Sequence, residues 1–277
     1  MNLTRFLRWS GAGLVAFGQL LAAPPPEPPP NIVIILADDL GYGDPGCYGG
    51  SAIPTPNIDR LAASGLRFTQ GYAPASTCTP SRYALLSGEY AWRQPAKKTS
   101  ILAGDEPLAL DPGRPTLASF LQGKGYATGL IGKWHLGLGD GSAPVDFNGE
   151  IRPGPLEVGF DRAFFIPATV DRVPCVFIEN HRVAGLVNGD PISVSYTKRL
   201  DQEPVGYEHP ELLKYPADRQ HADIIINGIS RIGSMAGGRA ARWVDEDIAD
   251  LLARHTNAFI EQLRYSASSS CTYLNTP

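Results

Sequence analysis

Residues 31–37 read N-I-V-I-I-L-A, an unbroken β-branched and aliphatic run that stops at Asp38-Asp39 and a turn, Gly41-Tyr42-Gly43-Asp44. A run without polar alternation predicts a strand covered on both faces, as in a parallel sheet between helical layers. Thr55-Pro56-Asn57 then supplies a helix cap and a first-turn proline. Ile58, Leu61 and Ala62 share one helical face, and Gly65 marks its end. Residues 66–73 predict a second strand. Thr79-Pro80 predicts another helix start, followed by Tyr83, Leu85 and Leu86 and stopped by Gly88. Residues 92–115 show no period and predict a loop. Residues 116–121 predict a helix ended by Gly123 or Gly125, and residues 127–131 a short strand that runs into Lys133-Trp134-His135. This order predicts the α/β class: a layered, mixed, mostly parallel sheet flanked by helices.

Between residues 139 and 216 prolines and glycines are frequent and no element stands out. Residues 244–263 give the clearest helix. Asp245, Glu246 and Asp247 sit at its start, where the helix dipole favours acids, and Ile248, Leu251, Leu252, Phe259 and Leu263 line one face. Residues 264–277 are serine-rich and aperiodic, unlike a strand. At the other end, Arg5 and Arg8 precede an apolar run over residues 11–23, which predicts a signal peptide, 1–23, rather than a stable membrane span. Residues 24–30 are almost all proline and predict an extended spacer. The expected domain is therefore 31–263, with 264–277 as an atypical tail.

Composition changes this picture little. Hydrophobic residues make up 43% and charged ones 19%, ordinary for a globular chain. A net charge of −4 without a basic stripe argues against nucleic acid as a partner. Cys47, Cys78, Cys175 and Cys271 follow neither a disulfide nor a zinc spacing.

Three clusters carry candidate chemistry. Asp38 and Asp39 leave an apolar strand side by side, and a hard divalent cation would relieve their repulsion, although a solvated turn would also fit. Cys78 stands at a predicted helix N-terminus, where unpaired N–H groups favour anions, and Arg82 lies one turn on. A small buried cysteine beside a surface arginine is the plainer alternative. Lys133 and His135, two apart after a strand, point to one side; the lysine would neutralise an oxyanion and the histidine would exchange a proton or hydrogen-bond. In a parallel sheet all three clusters fall along one edge, and together they suit an anionic ester.

Cys78-Thr79-Pro80-Ser81-Arg82 resembles the C-x-P-S-R signature of the type I sulfatases, arylsulfatase-like members of the alkaline phosphatase superfamily. Residues 31–44 resemble the family's opening strand and metal loop, 55–65 the helix that follows, and 125–137 its second signature. The resemblance implies hydrolysis of an organic sulfate ester. It implies conversion of Cys78 to formylglycine by a formylglycine-generating or sulfatase-maturing enzyme that reads Thr79, Pro80 and Arg82. The aldehyde hydrate would attack sulfur, displace the alcohol and then expel sulfate. Asp38, Asp39 and the modified Cys78 would ligate calcium, Arg82 would steady the hydrate, and Lys133 and His135 would contact hydrate and sulfate oxygens. Thr169 would place a hydroxyl near the substrate. The resemblance also implies export to the periplasm or cell exterior.

The later family features, a His-containing turn, an Asp-Asn metal pair and a second lysine, are not identifiable in this sequence. That departure predicts an incomplete N-terminal part, truncated at the C-terminus, with much reduced calcium affinity. A non-catalytic remnant is the alternative, as is a phosphatase or phosphodiesterase of the same superfamily, although these use serine or threonine where Cys78 stands. Aryl sulfates and sulfated carbohydrates both remain open as substrates.

Overall fold

A computed structural model describes residues 29–93, 100–200, 202–264 and 270–275; the expected leader and most of the proline spacer lie outside them. The chain begins with β1, Ile32–Leu36, then α1, Pro56–Ser64, α2, Cys78–Ser87, and α3, Leu117–Gln122. Next come β2, Ala127–Lys133, β3, Arg162–Ile166, β4, Ile178–Glu179, and β5, Arg182–Val183. Three short strands and one before them form ribbons: β6, Ser193–Ser195, β7, Ile224–Ile226, β8, Ile229–Arg231, and β9, Ser234–Ala236. Last are α4, Ile248–Arg264, and β10, Ser270–Asn275.

The main sheet runs β1-β10-β2-β3-β4-β5, parallel across its first four strands and antiparallel beyond β3. It is the layered, mostly parallel α/β architecture that the element order predicts. Strand β2 is its apolar centre: Leu130 is buried with Phe165 and Ile166 of β3, and Trp134 packs edge-on to Phe160. Helix α4 lies over β2, and a side chain at Gly129 would come within 2.6 Å of the Phe259 ring, so the close approach of helix and strand requires glycine there.

Several local expectations are corrected. β1 is not covered on both faces: Val33 and Ile35 are 49% and 62% exposed, because no helical layer lies over that side among the described residues. Helix α1 forms where its cap and proline predict, yet buries none of its residues, and Leu61 faces outward. Residues 66–73 are not a strand. They find no sheet neighbour and are instead tied by side chains, Arg67 Nη1 to the Cys47 carbonyl at 2.7 Å and Tyr48 Oη to the Phe68 carbonyl at 2.8 Å. Helix α2 starts at Cys78 rather than at Pro80. The proline falls in the first turn, where N–H groups have no partner in any case. The serine-rich end, expected to be no strand, supplies β10, whose backbone pairs on both sides with β1 and β2. Main-chain pairing on two flanks overrides its composition.

Arg231 of β8 ties the irregular middle of the chain together. Fully buried, it donates to the Ile226 carbonyl at 3.1 Å and the Val170 carbonyl, and to both oxygens of Asp245 at 2.9 and 2.7 Å, just before α4. A buried guanidinium without its carboxylate is strongly unfavourable. The substitution Asp245→Ala should therefore lower unfolding free energy by about 3–5 kcal/mol, measured by urea titration; a loss comparable to that of a surface ion pair would contradict this role.

Candidate active site

The carboxyl ends of β1, β2 and β3 and the first turn of α2 converge on one cleft, the position where open α/β sheets bind ligands. Strand β1 delivers Asp38 and Asp39, the latter at φ 51°, a left-handed conformation that aspartate tolerates better than most residues. Strand β2 is two residues longer than the sequence predicts and ends at Lys133. Its pairing with β3 continues beyond: Trp134 N donates to the Ile166 carbonyl and His135 N to the Pro167 carbonyl, both at 3.0 Å. That extension fixes the Lys133–His135 segment against the chain leading to Thr169.

Asp38 is the electrostatic centre. Its Oδ1 accepts from Arg82 Nη2 at 3.2 Å, and its Oδ2 accepts from Lys133 Nζ; both cations are nearly inaccessible. Burial alone would raise the Asp38 pKa, but the hydrogen bond and charge of Lys133, joined by Arg82, outweigh it and hold the carboxyl below its ordinary 3.8. Arg82 also donates through Nη1 to the Lys133 carbonyl at 3.0 Å, so α2, β1 and β2 are linked through one side chain.

His135 sits behind this cluster with no solvent exposure, at φ 51°. Its Nε2 lies 2.7 Å from the Leu102 carbonyl, an acceptor only, so this nitrogen carries the proton. Nδ1 is then an acceptor, buried and without a partner among the described residues. Burial, helped by the nearby Lys133, Arg172 and Arg82, pushes the His135 pKa down to about 3. The ring is therefore neutral near pH 7 and serves as an acceptor at Nδ1. Thr79, next to Cys78, donates to the His135 carbonyl at 2.9 Å and accepts from Leu102 N at 3.3 Å, closing the frame.

The open cleft, about 360 Å³, is lined by Asp38, Asp39, Cys78, Lys133 and Thr169. Five of the residues singled out by sequence thus share one space, while Arg82 and His135 support it from within the protein. Sequence reasoning missed Asp171, Arg172 and His221, which line the same cleft. The first pair follows Thr169 within three residues, the one signal that points to it, and His221 lies in a stretch without periodicity.

Calcium takes roughly six to eight oxygen ligands. Among the described residues no group of three or more His, Cys, Asp or Glu side chains is placed to hold a metal, and both oxygens of Asp38 already accept from cations. The residues present do not complete a calcium site.

Comparison with known proteins gives the family. The family model described as Sulfatase matches residues 30–174, just over half of the chain, and the chain belongs to the sulfatase family. N-acetylgalactosamine-6-O-sulfatase of Bacteroides thetaiotaomicron is 52% identical over 224 residues, covering 81% of this chain and 43% of its own length. Arylsulfatase A of Homo sapiens is 47% identical over 139 residues, 50% of this chain and 25% of its own. A solved Bacteroides thetaiotaomicron structure from a locus for metabolism of multiple glycosaminoglycans superposes with a TM-score of 0.85 at 49% identity, over 89% of this chain and 50% of that one. A sulfatase structure from Pseudoalteromonas sp. gives a TM-score of 0.54 at 26% identity, over 89% and 43%. The chain spans half or less of the length of each. No helix among the described residues is long and apolar enough to cross a membrane.

The neutral state of His135 has a measurable consequence. The unfolded histidine takes up a proton near 6.5, and the folded one only near 3. Stability is therefore full above pH 6.5 and declines as pH falls toward 3. Replacing His135 by Asn should flatten the urea midpoint between pH 6.5 and 4.5, above the ordinary carboxylate range. Parallel wild-type and variant curves would show that the ring does not titrate as its burial requires.

Proposed function

We propose that this chain carries the sulfate-binding and nucleophile-bearing part of a formylglycine-dependent sulfuric ester hydrolase. The observation that carries this reading is that Cys78, in the first turn of α2, opens on the same cleft as Lys133 and the Asp38-Asp39 pair. Cys78 is half-buried, accessible from that cleft and flanked by Thr77 and Thr79, which suits a residue that a maturing enzyme modifies. Formylglycine at this position would supply, as its hydrate, an oxygen nucleophile for sulfur and a route for releasing sulfate.

The remaining chemistry belongs to the chain's own side chains. Lys133 provides a cation at the cleft wall for the charge on sulfate oxygens. Arg82 holds the Lys133 backbone and Asp38 in place. His135 backs the cleft from within the protein, its tautomer fixed by the Leu102 carbonyl and its Nδ1 left as an acceptor. Thr169 presents a hydroxyl to the same space. Cysteine at position 78 favours this reading over a phosphatase or phosphodiesterase, which would attack through serine or threonine.

For the substrate, the name of the N-acetylgalactosamine-6-O-sulfatase relative points toward a sulfated sugar. An exported location follows from the basic and apolar leader pattern of residues 1–23. Asp38 and Asp39 would form part of a calcium site that needs further ligands, so the affinity of this chain by itself should be low. Calorimetric titration with calcium should give no saturable heat and no rise in melting temperature at micromolar ion; a clear rise at that concentration would show a complete site. The functional reading is tested by co-expression with a formylglycine-generating enzyme and mass analysis of the peptide containing Cys78. Conversion to the aldehyde is expected in the parent and in the Lys133→Ala protein, while inorganic sulfate should bind the latter at least about tenfold more weakly. An unmodified peptide together with sulfate affinity indifferent to Lys133 would overturn it.

A further inference from the structure

The cleft has two walls of different character. One bears Cys78, Lys133 and the aspartate pair. The other is formed by Asp171, Arg172 and His221, none of which the sulfate chemistry above uses. Asp171 Oδ1 accepts from the Thr169 hydroxyl and lies 3.4 Å from Arg172 Nη1, which also reaches Thr169 Oγ1 at 3.2 Å. Among the described residues, Nε and Nη2 of Arg172 have no hydrogen-bond partner. His221 is held by Nδ1 to Asp218 at 2.8 Å, while its Nε2 stands 3.7 Å from Asp171 Oδ2. That gap is too long for a direct hydrogen bond, and with Nδ1 donating to the Asp218 carboxylate the neutral ring leaves Nε2, like Asp171 Oδ2, as an acceptor for a hydroxyl.

The wall is rigidly mounted. Ile232 N donates to the Asp171 carbonyl at 2.7 Å and Val173 N to the Ile232 carbonyl at 3.2 Å, while buried Arg231 holds the Val170 carbonyl. His221 ends a short 3-10 turn, 219–221, capped by Asp218. Its side chain and those of Asp171 and Arg172 remain partly open to the cleft, between 18% and 42% exposed. No aromatic ring lines the cleft among the described residues; its apolar contacts are Ile101 and Val170.

We infer that Asp171, Arg172 and His221 form a hydroxyl-reading wall that selects a carbohydrate sulfate over an aryl sulfate, with the sulfate group at the Cys78–Lys133 end and the sugar ring against this wall. This assignment rests on the sulfate-site reading above. A pyranose presents neighbouring groups that each donate and accept, matched here by a guanidinium that only donates, a carboxylate that only accepts and an imidazole nitrogen that accepts in the neutral ring. An aryl leaving group would offer this wall nothing to pair with and would find no aromatic face on which to stack. Sites built to hydrogen-bond a substrate hydroxyl discriminate strongly against analogues lacking it.

The test compares calorimetric binding of galactosamine 6-sulfate, inorganic sulfate and 4-nitrophenyl sulfate to the full chain and to the Arg172→Ala, Arg172→Lys, His221→Ala and Lys133→Ala proteins, each checked for its circular dichroism spectrum. The sugar sulfate should bind at least about tenfold more tightly than either other ligand. Arg172→Ala and His221→Ala should bring it down to the inorganic sulfate level with little change for sulfate itself. Arg172→Lys should restore only part of the difference, because an ammonium lacks the planar fork. Lys133→Ala should weaken all three. Sulfate binding with no preference for the sugar, or equal losses for sugar and inorganic sulfate in the wall variants, would overturn the wall assignment alone. No sulfate binding by the folded parent would overturn the sulfate-site reading and the wall together.

Discussion

The arrangement around the cleft depends on the Asp38 carboxylate. It stands at the end of the first strand of the sheet and is shared by two cations that are themselves almost wholly buried, Arg82 from α2 and Lys133 from the end of β2. Neither cation could be accommodated there without it, since an uncompensated buried charge is more costly than the pair is favourable. Three segments distant in sequence are thereby joined at one atom group, and the helix that bears Cys78 is oriented by the same contact. The short tie from Arg82 to the Lys133 carbonyl then passes that constraint from side chain to main chain.

A second frame, made of neutral groups, surrounds this charged one. Thr79, His135 and Leu102 close a small ring of hydrogen bonds, and the β2–β3 ladder runs on past both strand ends. Two non-glycine residues with left-handed backbone, Asp39 and His135, flank the cleft. Such conformations persist where the surroundings fix them from several sides, and here the contacts that do so can be named.

How much of this could be read from the sequence depends on the kind of signal. Strand exits were legible because an apolar run ending in Asp38-Asp39 or Lys133-Trp134-His135 is a sharp discontinuity, and the helices at Thr116 and Cys78 carry proline, cap and glycine punctuation. Residue pattern alone could not tell that β1 and α1 lack a covering layer, since an amphipathic face is written identically whether or not a partner lies against it. For the same reason Leu66 and Phe68 promised a strand that found no neighbour. β10 was missed because its pairing is made by main chain, which its serine-rich composition does not report. Asp171, Arg172 and His221 escaped notice because they meet through an irregular loop and a short 3-10 turn brought together by Arg231, and no local periodicity encodes that meeting.

The place of β10 bears on how the molecule is assembled. Ile32 pairs with Cys271, and Thr128 with the same residue from the other side, so the strand that joins β1 to the centre of the sheet comes from a segment distant in sequence from both. A nascent polypeptide can form the β2–β3 pair and pack Trp134 early, but among the described strands β1 gains its neighbour only once β10 has been made. Throughout that interval an aliphatic strand lacks its β10 partner, a state that invites association with other chains. Pairing of β1 within this sheet is thus gated by β10, a strand made long after it.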